Sequence, residues 1–269
     1  MTRERVRPSA RGDRLFAPLA ADYAAARPSY PAPVFELLRT RVENRPRGAG
    51  EAAPLVVDVA AGTGIATVGL LDSGLRVAAV EPATGMLVEA VRSLAVRPGW
   101  AGGVAARAEA LPLADASVAA VVVAQAFHWL DPRHALDEFA RVIEAGGVLL
   151  LLWNVTEPDA FTLDVRRLVG RHNPGRKRPV TPRMREIPVS LRNHPAFAVE
   201  PTVTVEHRRA LALDDYVRYA RSWSYVGGAL EPAALDTFES ELRGVLERHA
   251  REGRVVERFE TAAHFARRL

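Results

Sequence analysis

The chain contains no cysteine, and that absence closes off a range of chemistry. A disulfide framework, a Cys-ligated zinc, an iron–sulfur cluster and a thiol nucleophile are all excluded. Lysine is almost missing too: Lys177 is the only one, so the positive charge is arginine. Lys+Arg 36 against Asp+Glu 32 leaves a formal charge of +4, too mild over 269 residues to imply nucleic acid. No stretch reaches the roughly 18 apolar residues that a membrane span needs. The opening, Met1 to Arg14, is rich in arginine and lacks the apolar segment of a signal peptide. Residues 1–14 are therefore expected to be a flexible arm, and the protein to be cytoplasmic. What remains is 48% hydrophobic and 25% charged, the composition of an ordinary globular protein.

The apolar pattern alternates between two periods. Leu55–Val59 is a short apolar run that ends in a glycine turn and passes into a helical pattern reaching Leu71. Arg76–Val80 and a helix over Gly85–Leu94 repeat the unit. Gly103–Ala106 and Ser117–Val123 are read as strands three and four. Pro132 opens a helix that runs through Val142, since proline suits the first helical turn. After Ala145-Gly146-Gly147, Val148–Trp153 is a fifth strand. Alternating strands and helices of this kind build a parallel sheet covered on both faces.

Outside residues 54–155 the alternation fades. Residues 15–43 read as two short helices around Arg27-Pro28-Ser29-Tyr30-Pro31, because proline disfavours helix at the residue before it. Thr156–His172, Leu213–Tyr225 and Pro232–Arg251 look helical, and Thr202–Glu206 and Arg254–Phe259 look like strands. The expectation is one domain over 15–269. Its core is 54–155 with the strands near 202–206 and 254–259, and its helical cap comes from 15–45, 156–195 and 213–251.

The spacing Asp58-x-x-x-Gly62-x-Gly64 carries the first chemical signal. A glycine turn after strand one lets backbone approach a ligand and aims helix-start amides at an anionic group. A phosphate loop would need Gly-Lys-Ser/Thr, which is missing. A dinucleotide site would want glycine or alanine at the sixth position, where this chain has Thr67. S-adenosylmethionine (SAM) is the third user of such a turn, its carboxylate on the amides and its amino group on the leading acid. Glu81, at the end of strand two, suits both hydroxyls of a ribose. That feature is shared by SAM and NAD, so Glu81 supports an adenosine ligand without choosing between them.

With these residues in place, a family resemblance is plain. Val57-Asp58-Val59-Ala60-Ala61-Gly62-Thr63-Gly64, Glu81-Pro82 with Met86, Ala108-Glu109-Ala110-Leu111-Pro112 and Gln125-Ala126-Phe127-His128-Trp129 resemble the class I SAM-dependent methyltransferases. Within these the chain looks like the small-molecule, trans-aconitate methyltransferase-like group, whose opening motif Tyr23-x-x-x-Arg27-Pro28-x-Tyr30-Pro31 is similar to. The resemblance implies an α/β fold with a seven-stranded, mostly parallel Rossmann-like sheet, helices on both faces and a C-terminal antiparallel hairpin. It implies that Asp58, Gly62 and Gly64 cradle the methionine part and that Glu81 holds the ribose, with Ala60 and Pro82 also in the cofactor site. Met86 would lie against the adenine, Ala108 and Glu109 near its amino edge, and Gln125 beside the sulfonium. Arg107 and Ala108 depart from the usual small residue and acid at those positions.

His128 follows strand four, where an acceptor would meet the methyl group, and its ordinary pKa near 6.5 suits a general base. Its neighbours Phe127 and Trp129 equally suit a packing histidine. Tyr23, Tyr30, Trp223 and Tyr225, with Phe127 and Trp129, form the expected acceptor surface, although Tyr219 and Trp223, four apart, read better as one helix face. Seven arginines and Lys177 lie between Arg166 and Arg185 with no acid among them. That stretch reads as a solvated basic loop, or as a contact for an anionic acceptor, a carrier protein or RNA. The expected reaction is methyl transfer from SAM to oxygen, nitrogen or carbon of a small-molecule acceptor, with S-adenosylhomocysteine (SAH) as product. No metal, membrane or nucleic acid is expected. The competing readings are a SAM-binding cyclase or binding module without transfer, methylation of RNA or a carrier-bound substrate, and a nicotinamide oxidoreductase.

Overall fold

A computed structural model describes residues 27–44, 53–175 and 184–269. The expected arm 1–14, Tyr23 and the middle of the basic stretch lie outside the described residues.

Leu55–Val59 (β1) is apolar except for Asp58 and is buried on both faces. Val56 joins the core on one side of the sheet, Val57 and Val59 the core on the other. Such a run can exist only where helices cover both faces. Arg76–Val80 (β2), Trp100–Val104 (β3), Val118–Ala124 (β4) and Ile143–Thr156 (β5) complete a parallel set. One face is covered by Ala32–Glu43 (α1), Ile65–Asp72 (α2) and Thr84–Leu94 (α3), and the other by Pro132–Val142 (α4). Asp131 caps α4, its carboxylate accepting from the amides of Arg133 and His134 ahead of a proline-led first turn.

Arg254–Arg268 (β8) runs antiparallel to β5 and carries Phe197–Val199 (β6) and Val203–Ala212 (β7) along its far edge. The order is β3-β2-β1-β4-β5-β8-β6, with β7 continuing the same edge. Eight strands thus fill the seven ladder positions expected, the outermost being interrupted between Val199 and Val203. The last strand is much longer than the expected 254–259, because Ala262, Ala263, Phe265 and Ala266 are buried against β5.

Ala160–His172 (α5), Leu213–Arg221 (α7) and Pro232–His249 (α8) enclose a separate core of Phe161, Tyr216, Tyr219, Trp223, Phe238 and Leu242. This is the cap. Parts of two segments expected in it, Ala32–Glu43 of 15–45 and Val189–Arg192 of 156–195, lie elsewhere. α1 buries Val34, Phe35, Leu38 and Val42 on the sheet, and the short helix Val189–Arg192 (α6) puts Leu191 into the core beneath α4. In both, the apolar face fits the sheet layer and is spent there.

Among the described residues no helix is long and apolar enough to cross a membrane.

Candidate functional site

Strand order reverses between β1 and β4, so the crevice beyond their C-terminal ends is where an open α/β sheet accepts ligands. Both rims carry strained backbone. Ala60, directly after β1, and Gln125, directly after β4, have φ of 56° and are not glycine. Left-handed backbone costs about 1–2 kcal/mol at such residues, and strain of this kind concentrates at functional sites. Gly62 at φ 59° and Gly64 at φ 87° complete the turn into α2. A Cβ on Gly64 would stand 3.0 Å from Leu94 Cδ1, so the residue is also fixed by packing.

Two carboxylates converge on this turn. Glu81 is buried at the end of β2. Its Oε2 accepts from the Gly62 amide and its Oε1 from the Ala83 amide, each at 2.9 Å. Asp58 is fully buried on β1. Its Oδ2 accepts from the Thr67 hydroxyl at 2.6 Å, while Oδ1 is buried without a hydrogen-bond partner. Burial disfavours the charged form and pushes the Asp58 pKa up to about 7, with the Glu81 charge adding to the rise and the Thr67 hydroxyl opposing it. A buried acceptor that lacks a donor is costly. The arrangement therefore fits a ligand that brings a cationic N–H to Asp58 and anionic or hydroxyl groups to the turn. SAM carries groups of both kinds, in its amino acid and ribose ends.

Met86 is buried on the first turn of α3 and Ala108 is buried in the main core, while Pro82 is half-buried between Glu81 and α3. Glu109 accepts from the Asp131 amide at 3.2 Å and faces Arg107 Nε at 3.4 Å. The side-chain amide of Gln125 donates to the Asn154 carbonyl at 3.0 Å.

That last contact opens a network that sequence reasoning missed. The Asn154 side chain donates to the Ser29 carbonyl at 3.0 Å and accepts from the Thr261 hydroxyl at 2.6 Å; His207 Nδ1 lies 3.2 Å from Thr261 Oγ. Arg27 donates to the Ser222 carbonyl at 3.1 Å. Residues 27–31 thus tie the end of β5 to the cap. The only signal for this in the sequence is a polar Asn154 at the end of an apolar strand.

His128 stands on a single 3-10 turn, Phe127–Trp129, its ring 5.0 Å from that of Trp129. The side chain keeps an open edge to solvent, yet crowding around the ring disfavours the imidazolium and pushes its pKa down to about 4. The open edge limits the shift but does not reverse it, so the ring is neutral at pH 7. Trp129 is 40% exposed, whereas Phe127 turns into the main core with Phe139 and Leu136. Phe127, expected on the acceptor surface, is a core residue because its ring fills the space between β4 and α4. Trp223 is likewise buried among Tyr216 and Tyr219 in the cap, with Tyr225 half-buried beside it at 5.5 Å between rings. Tyr30 meets Phe35 edge-on and lines a cleft between α1 and α2.

Residues 57–151, from β1 into β5, match the family described as Methyltransferase domain. An uncharacterized methyltransferase of Mycobacterium tuberculosis is 37% identical over 150 residues, which is 55% of this chain and 56% of that one. The chain thus spans about half the length of the curated relatives it matches. A demethylmenaquinone methyltransferase of Beutenbergia cavernae is 38% identical over 104 residues, 38% of this chain and 42% of that protein. Among solved structures, a protein of Anaeromyxobacter dehalogenans assigned provisionally to the type II methyltransferases superposes with a TM-score of 0.65. It is 25% identical, and the match covers 90% of this chain and 97% of that one.

Proposed function

We propose that this chain, which carries a class I SAM-dependent methyltransferase domain, moves a methyl group from SAM to a small organic acceptor held between the C-terminal ends of the parallel strands and the cap. One observation carries the reading: the fully buried Asp58 leaves one carboxylate oxygen without a donor, beside a left-handed glycine turn anchored by Glu81.

Asp58 would hold the amino group of the cofactor, the amides after Gly62 and Gly64 its carboxylate, and Glu81 its ribose, with Ala60 and Pro82 lining the same turn. Met86 would pack on the adenine, and Ala108 and Glu109 would meet its amino edge. Gln125 would stand beside the sulfonium. The cofactor supplies an activated methyl group on a sulfonium. The protein's own part is alignment and exclusion of water, which are sufficient for an in-line displacement. Neutral His128 and exposed Trp129 lie after β4, where they would orient the acceptor, and half-buried Tyr225 would close over it from the cap.

A small acceptor is supported by the strap of residues 27–31, which ties the cap to the end of β5. The Beutenbergia relative, whose name gives demethylmenaquinone as its substrate, supports it as well.

Calorimetry with SAH tests the cofactor site. Product mass from candidate acceptors incubated with and without SAM tests transfer. Tight SAH binding with no methylated product across carboxylate, phenol, amine and quinone acceptors would favour a binding module instead.

A further inference from the structure

Thr67 stands where a dinucleotide turn prefers glycine or alanine, and the structure gives it something to do. It is completely buried on α2, and its hydroxyl donates to Asp58 Oδ2 at 2.6 Å. Asp58 Oδ1 is buried without a partner. From the end of β2, Asp58 faces the like charge of Glu81; from α2 it faces the hydroxyl of Thr67 and, more weakly, the Thr67 amide. Its register partners Ala79 on β2 and Val122 on β4 carry no titratable group. None of these neighbours supplies a cation. An anionic Oδ1 in that place is unstable, and two things relieve it: a proton, or a cation brought by a ligand.

We infer that Thr67 is a positioning residue that commits Asp58 Oδ2 to the protein and leaves Oδ1 to exchange a proton for the cofactor's ammonium group. Cofactor uptake then releases a proton to solvent. The inference rests on the cofactor reading above. The O–H bond of the carboxylic acid breaks, its proton passes to water, and one N–H···O hydrogen bond from the ammonium forms in its place. No other bond changes. Burial, which pushes Asp58 up to about 7 in the free protein, puts this exchange within the physiological range.

The test is calorimetry of SAH binding to the full chain in two buffers of different ionisation enthalpy. The difference in heat counts the protons released. Release should approach about one proton at pH 6, about half at pH 7 and little at pH 8, as titration of a group near 7 requires. Thr67→Ser, which keeps a hydroxyl, should retain this profile. Thr67→Val keeps the size and the backbone amide but removes the hydroxyl donor. It should move the midpoint of release to higher pH and weaken SAH roughly tenfold at pH 7, with affinity recovering as pH rises. Melting temperatures report whether each variant is folded.

Equal heats in both buffers for wild type at pH 6 overturn the inference and leave the cofactor reading standing. A Thr67→Val protein that melts lower yet releases protons as wild type does shows a merely structural threonine, and also overturns it. A folded wild type that takes up no SAH at any pH removes the cofactor reading, and this inference with it.

Discussion

The carboxylate of Glu81 bridges the ends of two strands, its Oε2 accepting the Gly62 amide at 2.9 Å while Oε1 accepts that of Ala83. Glu81 therefore shapes the glycine turn besides facing the place proposed for a ribose. Glu81→Ala should weaken SAM and SAH alike, by about 1.5–3 kcal/mol, the range for hydrogen bonds to a charged group. Calorimetry with both ligands checks this. A loss confined to SAM would mean that Glu81 senses the sulfonium, and the ribose role would be wrong.

Gly62 makes a sharper case. Its φ of 59° lies in the left-handed region, where a β-branched residue is a genuine outlier. Gly62→Val should leave the far-ultraviolet circular dichroism unchanged and lower stability by roughly 1–2 kcal/mol. SAH binding should vanish, because the side chain would occupy the ligand's place. A folded Gly62→Val protein that binds SAH with wild-type affinity would dismiss the assignment of the turn.

The parallel core and half of the site are legible in the sequence because they are local. β4 is a continuous apolar run and β1 and β2 are apolar but for Asp58 and Arg76, and Asp58, Gly62 and Glu81 stand near the strand ends or one turn beyond. The rest depends on distant register. Asn154 and Thr261 are 107 residues apart and meet only because β5 and β8 pair antiparallel. Nothing in an alanine or a glutamine announces the left-handed backbone of Ala60 and Gln125. The second half of β8 reads poorly because Ala262-Ala263-His264 lacks the β-branched residues that mark a strand. Phe127 shows the opposite difficulty: an aromatic beside a candidate catalytic residue suggests a pocket, and only the packing of α4 makes it core.

Asp58 also predicts how the free protein responds to pH. Its pKa is raised in the fold, from the ordinary 3.8 to about 7. Its contribution to stability is therefore fully present below about pH 4 and is lost as pH rises through 7. Other groups titrate over the same window, so the informative quantity is the difference from Asp58→Asn. Between pH 5 and pH 8 wild type should lose a few kcal/mol relative to the variant, and Asp58→Asn should be the more stable protein at pH 8. Denaturant melts at three pH values measure this. Parallel stability curves would mean that Asp58 is ionised in the fold throughout that range.

His128 is where geometry revises the chemistry most. The sequence suggests a base titrating near neutrality, which would give activity an alkaline-rising limb through pH 6.5. In the structure the crowded ring is pushed down to about 4, which leaves it neutral but weakly basic at pH 7. A weak base adds little to displacement at a sulfonium, where alignment suffices. His128→Gln keeps a polar group of similar reach, and should raise the acceptor's KM several-fold while kcat changes much less, the pattern of lost orientation. SAH affinity and melting temperature should stay as in wild type, since the side chain has an open edge and lies on a short 3-10 turn. The wild-type pH profile should be flat from 6.5 to 8 and bend only on the acid side. Two results would reverse this. A fall in kcat of roughly 10²–10⁴, with the acid limb gone in the variant, would make His128 the general base. A drop in melting temperature with activity per folded molecule intact would make it a packing residue and return the acceptor site to Trp129 and the aromatic residues of the cap.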